Sequence, residues 1–318
     1  MRREGSPWRG LSVVYFRELF DHLTSVRMLA LEFLVVLFGG AVVYFSAEQV
    51  RNTTAEDPFL FLRLFAPPGQ TLLSFMVVLS ILVPIMAIGL GFDSVNGEYN
   101  RRTLSRILSQ PIYRDALLFG KFAAGLFTLS IALIVLWLLV IGFGLVGLGV
   151  PPNAEEMARA LVLLVVTIAY GGFWFALALL FSILFRSAAT AALVSLGVWL
   201  FLTILWPLFS PALADAVTSA ADVLGVLDTR QMFARLSPSV LFNEIVAVVL
   251  DPSVRSTQQS MLAAMGLALI ERGAIPDAPI PLLQSVLIVW PQIVGLVAGT
   301  IILFVIGYVV FQRQEVRA

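Results

Sequence analysis

The polar residues that could do chemistry in this chain are few and far apart. Glu32, Asp93, Tyr170 and Gln292 stand inside or at the ends of long apolar runs. If those runs cross a membrane, ionisable groups within them are candidates for function. Glu32 lies only about 7.5 Å along a helix from Arg27, so pairing or solvation at the membrane surface explains it equally well. No acid, base and nucleophile converge, and the sequence predicts no catalytic residue.

Several kinds of site are excluded by residue type. The chain has no cysteine, which excludes disulfides, thiolate metal sites and a cysteine nucleophile. The single histidine, His22, cannot build a zinc site, and we expect it on the polar face of a helix. Gly120-Lys121 is followed by Phe122 and has Asp115 at the upstream glycine position, so it is not a phosphate-binding loop. Lys121 is the only lysine, and the sequence assigns it no chemistry.

Composition places the chain in a membrane. It is 59% hydrophobic and only 13% charged, with a mean hydropathy of +0.96, whereas soluble domains carry about 25% charged residues. Apolar runs of the length needed to cross the ~30 Å hydrocarbon layer recur along it. We predict an all-α polytopic membrane protein forming a single domain over residues 1–318. Its six spans are predicted at about 28–47, 71–92, 122–149, 160–184, 190–209 and 287–311.

The distribution of basic residues predicts the orientation. Six spans put both termini on one side, where 13 of the arginines and lysines fall, against 7 on the other. The positive-inside rule then places both termini and the 93–121 loop in the cytoplasm. The 210–286 segment is extracytoplasmic, and its apolar patches are too short or too polar to cross alone, so we expect surface or re-entrant helices. If two of these helices crossed the membrane as a pair, the number of spans would stay even and both termini would remain on the same side.

Residues 7–26 are predicted to form an amphipathic helix before the first span. Apolar side chains recur at helical spacing at Val13, Phe16, Phe20 and Leu23. The opposite side carries Arg17, Glu18, Asp21 and His22. A helix of this kind lies in the membrane interface. The alternative is an ordinary approach to the first span.

A short charged helix is predicted in the 93–121 loop, over 98–110. Arg102 and Arg106 share one face, and Glu98 precedes Arg102 at the favourable i,i+4 spacing. Pro111 ends the helix. A second face carries a small apolar ridge formed by Leu104, Ile107 and Leu108. Such a ridge fits a groove on a partner protein; the alternative is that the arginines only contact anionic lipid.

The same loop carries a family resemblance. Its run is Glu98-x4-Thr103-Leu104-x2-Ile107-Leu108-Ser109-x-Pro111-Ile112-x-Arg114, followed by Gly120-Lys121. This run resembles the signature loop of ABC-2 type transporter permeases. The subgroup that it most resembles includes permeases associated with copper insertion in nitrous oxide reductase maturation and with sodium extrusion. The C-terminal residues 309–318 also resemble that family's tail, whereas the segment before span 6 is longer than in compact members.

The resemblance implies a membrane subunit of the ABC-2 type permease fold that is not itself an enzyme. Two permease chains, identical or paralogous, would dock two cytoplasmic ATPase subunits, which bind ATP and Mg²⁺; this chain would hold no cofactor or metal and bind no nucleic acid. The 98–110 helix would be the coupling helix, with Glu98 anchoring its start and Pro111 ending it. Its basic rim would consist of Arg101, Arg102 and Arg106.

Transport would be export across a bacterial or archaeal cytoplasmic membrane, in contact with lipid. Glu32 is a candidate pathway residue, and Pro84, Gly89 and Gly91 would let span 2 bend. Close helix packing explains the small residues equally well. The alternative function is a non-transporting scaffold or assembly factor whose 210–286 segment binds a maturation partner. A membrane-embedded enzyme is the third hypothesis.

Overall fold

A computed structural model of the chain describes residues 8, 10–51, 59–65, 75–100, 113–149, 151–218, 223–257 and 279–314. Within these ranges the secondary structure is entirely helical. The helices are α1 (Leu11–Thr24), α2 (Val26–Arg51), α3 (Phe75–Gly91), α4 (Asn96–Asn100), α5 (Arg114–Leu148), α6 (Ala154–Leu184), α7 (Ala188–Leu200), α8 (Trp206–Val217), α9 (Val223–Ala234), α10 (Pro238–Leu250), α11 (Leu282–Ile288) and α12 (Trp290–Arg313). A 3₁₀ turn covers Leu60–Leu64, and a π-helical turn, Phe201–Leu205, joins α7 to α8.

The described part of the chain contains five helical stretches long and apolar enough to cross a membrane. They are Phe75–Asn100, Arg114–Gly147, Ala154–Leu184, Ala188–Val217 and Trp290–Arg313. Two bent pairs would raise the number to seven if each is one span: Leu11–Thr24 with Met28–Ala41, and Gly225–Ala234 with Pro238–Leu250. The predicted all-α polytopic class is therefore confirmed. The first predicted span, at about 28–47, lies in α2, which follows α1 after a bend of 58°.

The central helix of the bundle is α6, most of whose side chains are buried. Its start is fixed by a capping box. The side chain of Asn153 accepts a hydrogen bond from the backbone N–H of Glu156, and the side chain of Glu156 accepts one from the backbone N–H of Asn153, both at 2.8 Å. Helices α3, α5, α7, α10 and α12 all pack against it. Glycines permit the closest approaches: a Cβ on Gly91 would lie 2.8 Å from the Ala178 Cβ. Gly91 therefore lies where α3 and α6 pack closely against each other.

Proline shapes the interior of α3. Pro84 has no backbone N–H, which leaves the carbonyl of Ser80, four residues earlier, without its helical donor. The Tyr170 hydroxyl donates to that carbonyl at 2.9 Å and shares a 2.9 Å hydrogen bond with Ser239. Thr203, in the π-helical turn, lies 2.8 Å from the same Ser239 oxygen. A single side chain of the neighbouring helix α6, Tyr170, thus satisfies the carbonyl that the proline frees, as membrane interiors require.

The bundle has two ends with different contents. At the first, which we call the junction end, α1, α4 and the start of α5 meet the ends of α6 and α12. At the opposite end, Arg159 near the start of α6 is fully buried and donates to the carbonyls of Val249 (2.9 Å) and Ile280 (2.6 Å) and to Ser285 (3.2 Å). Arg159 thereby ties α6 to α10 and α11.

Helix α10 enters the bundle from that opposite end. Its last turn is held by Arg159 at Val249, while Ser239 in its first turn reaches Tyr170, further along α6. The chain bends by 109° between α9 and α10. Stacked rings of Tyr170 and Phe242, 4.4 Å apart, add to this packing. The apolar patch at 239–250 of the 210–286 segment is therefore part of a helix packed within the bundle.

Candidate functional site: a charged junction of α1, α4 and α5

A buried ion-pair cluster joins three helices at the junction end. Lys121, in the second turn of α5, is only 2% exposed, and its Nζ lies 2.8 Å from Glu18 Oε1 and 3.0 Å from Glu98 Oε1. Glu18 belongs to α1 and Glu98 to α4. Charges so far from water are tolerated only when they are paired with good geometry. One lysine therefore links the N-terminal helix, the start of the 98–110 segment and α5.

The residue before this lysine lets α1 approach. A Cβ on Gly120 would lie 2.8 Å from Val14 Cγ1 and 3.0 Å from Val14 Cβ, so only glycine fits without movement of α1. Val14 is buried, and Trp8 packs edge-on against Phe119 with ring centroids 5.2 Å apart. Gly120 thus provides the close approach between α1 and α5, beside the ion pairs of Lys121.

Helix α4 is fixed to the end of α6. The Ser182 hydroxyl accepts hydrogen bonds from the backbone amides of Val95 (3.0 Å) and Asn96 (3.2 Å). At the other end of α4, Asn100 donates to the Arg186 carbonyl at 2.9 Å, and the Arg186 guanidinium lies 5.3 Å from the centre of the Tyr99 ring. These contacts hold α4 and the residue before it, immediately ahead of 101–112 in the chain.

A cleft of about 510 Å³ opens beside the cluster and is called the α1 cleft below. Its charged and polar lining includes Arg17, Glu18, Asp21, His22, Asp93, Glu98 and Lys121. Burial lowers the pKa of His22 below its usual value, partly offset by the carboxylates of Glu18, Asp93 and Asp21, while Lys121 lowers it further. His22 is therefore held neutral to a lower pH than a solvated histidine.

The apolar side of the amphipathic helix α1 is exposed in the structure. Val13, Phe16 and Phe20 are exposed along α1, where lipid can cover them. Its polar side is turned toward the protein, because Glu18 is buried against Lys121 and His22 lines the α1 cleft. The bend of 58° between α1 and α2 separates this helix from the apolar segment that follows.

Only part of the predicted coupling site falls within the described residues. Glu98 lies in the junction, bound to Lys121. The other predicted members lie outside the described residues; they are Arg101, Arg102, Leu104, Arg106, Ile107, Leu108 and Pro111. Asp93 lines the α1 cleft, whereas Tyr170 belongs to the hydroxyl cluster with Ser239 inside the bundle. The junction therefore contains the anchor of the predicted helix.

The candidate hinge and pathway residues are dispersed. Pro84 and Gly91 are buried in α3, and Gly89 packs against α2, where an added Cβ would lie 2.9 Å from Leu31 Cδ1. Glu32 is half-buried on α2 and is not part of the α1 cleft lining. Gln292 donates to Glu244 at 2.7 Å near the opposite end. These residues do not form one site.

Sequence reasoning missed the central member of the junction. Lys121 was assigned no chemistry, and Glu18 was assigned only to a polar helix face. A signal was present: a single lysine directly after glycine, inside the otherwise apolar stretch 116–127, is costly to bury without a partner. The carboxylates that neutralise it come from distant parts of the chain, and periodicity does not reveal such pairs.

The chain matches one known protein family over nearly its whole length. The model of the ABC-2 family transporter proteins matches residues 12–316, which is nearly the whole chain. The chain belongs to the ABC-2 transporter family. The match extends from α1 to the residues that follow α12, and therefore includes the junction and the opposite end alike.

Two relatives of this chain have the same name. The chain is 27% identical over 198 residues to "Probable ABC transporter permease protein NosY" of Pseudomonas aeruginosa, covering 60% of this chain and 66% of that protein. It is 24% identical over 203 residues to the protein of the same description from Stutzerimonas stutzeri, covering 62% and 68%. The first alignment thus spans just under two thirds of that relative. The family and the apolar helices make this chain an integral membrane protein of the ABC-2 transporter family.

Within the part of the chain that the structure describes, His, Asp and Glu side chains form no group of three that could hold a metal ion. The junction instead contains the ammonium group of Lys121, which is shared by the carboxylates of Glu18 and Glu98.

Proposed function

We propose that this ABC-2 permease receives ATP-driven movement from a separate cytoplasmic ATPase through residues 98–110, and passes it to α1 and α5 through Lys121. The observation that carries the proposal is the pair of buried contacts from Lys121 Nζ to Glu18 and Glu98. A displacement of the 98–110 segment pulls on Glu98. Because separating buried opposite charges costs about 3–5 kcal/mol, α5 and α1 follow the segment.

The remaining parts of the proposal follow the family. Two permease chains pair, two ATPase subunits bind ATP and Mg²⁺, and substrate moves outward. Both chain termini and the junction end lie in the cytoplasm, as the distribution of basic residues favours. Docking uses Leu104, Ile107 and Leu108, with the arginines of the loop as a rim. ATP binding then changes the ATPase dimer, and the ATPase dimer shifts the permease between two arrangements.

The test is co-purification of the permease with the ATPase encoded beside it. The Leu104→Asp, Leu108→Asp double variant places two carboxylates on the proposed ridge. Leu283→Asp is the matched control, because Leu283 is an exposed leucine of α11 at the opposite end. We expect the parent and Leu283→Asp to retain the ATPase, and the double variant to lose it while still inserting into the membrane.

Two outcomes contradict the proposal. If the inserted double variant retains the ATPase, residues 98–110 are not the docking element, and their arginines serve only lipid contact. If the parent itself binds no ATPase, the chain acts as a scaffold or assembly factor. A second measurement separates docking from transmission. We expect the Lys121→Met variant to retain the ATPase, and we expect the activity of that ATPase no longer to respond to the permease.

A further inference from the structure

The first residue of α5, which follows the 101–112 segment, holds the C-terminal end of α12. The Arg114 guanidinium donates to the Gln314 carbonyl at 2.9 Å, and the same nitrogen lies 3.5 Å from the carbonyl of Phe311 and 3.4 Å from that of Gln312. The last carbonyls of a helix have no donor within that helix, and a cation beside them complements the helix dipole. Arg114 thus caps α12 from a position 200 residues earlier in the chain.

The next residue, Asp115, provides a second attachment to the same helix. Its carboxylate accepts a hydrogen bond from the Tyr308 hydroxyl at 2.8 Å and another from the side-chain amide of Gln312. The Tyr308 ring also lies 6.1 Å from the ring of Phe119, one turn further along α5. Two adjacent residues of opposite charge therefore bind acceptors and donors at one end of α12.

The end of α12 is bound more strongly to α5 than to α6 by polar contacts. Its polar contact with α6 is the hydrogen bond from the Gln314 side chain to the Ile183 carbonyl, at 2.9 Å, between two neutral groups. The contacts with Arg114 and Asp115 each involve a charged group, and such hydrogen bonds are roughly twice as strong as neutral ones. If α5 moves relative to α6, the end of α12 is therefore expected to follow α5.

The other end of α12 is held in place. Gln292, in its first turn, donates to Glu244 of α10 at 2.7 Å. Helix α11, which directly precedes α12, is held at Ser285 by the buried Arg159 of α6, at 3.2 Å. A 24-residue helix is about 36 Å long. Fixed at one end and bound to α5 at the other, α12 is arranged to swing about its first turn.

We propose that Arg114 and Asp115 are positioning residues through which the 98–110 segment moves the C-terminal end of α12. This proposal rests on the proposed function, since it requires an ATPase that displaces that segment. Lys121 receives the movement where the segment begins, through Glu98, and passes it to α1. Arg114 and Asp115 receive it where the chain leaves the segment, and they act on a different helix. The two attachments are therefore separable by mutation.

The test measures spin-label distances in the permease–ATPase complex with and without ATP. One label is placed at Arg313→Cys on α12 or at Asp21→Cys on α1, and the second at Leu193→Cys on α7, which serves as a common reference. All three positions are exposed. The labelled chain is diluted into unlabelled permease, so that only distances within one chain are measured.

The variants are Arg114→Met, Asp115→Ala and the double variant that combines them. Arg230→Met is the matched control, because Arg230 is an exposed arginine of α9 at the opposite end. We expect ATP to shift both distances in the parent and in the control. Each single variant should reduce the shift at α12, and the double variant should abolish it. The shift at α1 should remain in all of them, which shows that the variants are folded and bound to the ATPase.

Lys121→Met should give the converse result, with the shift lost at α1 and retained at α12. A purely structural role of Arg114 and Asp115 would broaden the α12 distances with and without ATP but leave the shift between their means. A full α12 shift in the double variant therefore overturns the proposal, as does a parent that shifts at α1 alone. A parent complex that shifts at neither label contradicts the proposed function itself.

Discussion

Replacing Lys121 by methionine is the sharpest perturbation of the junction. Methionine keeps the length and the apolar stem of the side chain but removes the cation that two carboxylates share. Glu18 and Glu98 then remain in a site where their side chains are only 10% and 12% exposed. Without the lysine, no cation offsets the cost of keeping these two carboxylates away from water.

The size of the effect follows from this geometry. Breaking a buried ion pair by removing one partner costs about 3–5 kcal/mol, chiefly because a charge stays buried without compensation. The least costly response is for α1 to separate from α5, which exposes Glu18 to water. At about 1.4 kcal/mol per factor of ten, local opening of α1 becomes more frequent by a factor of roughly 100 to 4,000.

Amide hydrogen exchange of the purified protein measures this opening directly. In Lys121→Met, protection should fall in α1 and α4 and persist in α10 at the opposite end. Arg17→Met is the matched control on the same helix, since Arg17 faces Asp21 at 3.8 Å with the two side chains 51% and 63% exposed. An exposed pair of this kind contributes about 0–1 kcal/mol, so its exchange should stay close to that of the parent.

Two results would refute this reasoning. Unchanged protection of α1 in Lys121→Met would mean that the ion pairs contribute nothing to its attachment. Equal loss of protection in both variants would mean that any charge change on this surface has the same effect. The triple variant Lys121→Met, Glu18→Gln, Glu98→Gln provides a further check, because removing all three charges should restore most of the protection.

Three further predictions concern other contacts. Gly120→Ala should loosen α1 by about 1–3 kcal/mol, because the new Cβ would lie 2.8 Å from Val14; combining it with Val14→Ala should restore part of the loss in hydrogen exchange. Arg159→Met should destabilise the opposite end by about 1–3 kcal/mol for each of the acceptors left unsatisfied, seen as faster proteolysis near α11. The lowered pKa of His22 means that the unfolded state binds more protons, so thermal stability should fall as pH drops below about 6.5, and His22→Gln should remove that slope.

Each of these has an outcome that contradicts it. Gly142→Ala is the control for the first, since nothing lies within 4 Å of a Cβ there, and equal loosening of α1 in both variants would exclude a steric cause. Unaltered proteolysis in Arg159→Met would mean that its hydrogen bonds are replaceable by water. A pH slope that persists in His22→Gln would assign it to other groups.

The sequence was informative where the signal is local. Apolar runs predicted the helices, and spacing predicted an apolar side of α1, which is exposed at Phe16 and Phe20. The capping box of Asn153 and Glu156 is also readable as a local pattern. Each of these features depends on residues within a single helix, and so no tertiary structure is needed to recognise it.

The junction could not be predicted in the same way. Lys121 is paired with Glu18 from α1, far earlier in the chain, and periodicity carries no information on such a contact. Likewise, Arg159 reaches Ile280 across most of the second half of the chain. Gly120 was noticed as part of a motif, but its reason, the approach of Val14, is a property of two packed helices. Pairing between distant helices is fixed by packing, which the sequence pattern does not specify.

The most direct test of the account is a distance measurement across the permease–ATPase complex. Because this chain has no cysteine, it adds no background labelling when spin labels are placed at Asp21→Cys on α1 and Leu283→Cys on α11. The account predicts that ATP changes the distance between the labels in the parent, that the Leu104→Asp, Leu108→Asp variant shows no change, and that Lys121→Met retains the ATPase yet shows no change either. An identical distance with and without ATP in the parent complex, or a full change in Lys121→Met, would contradict it.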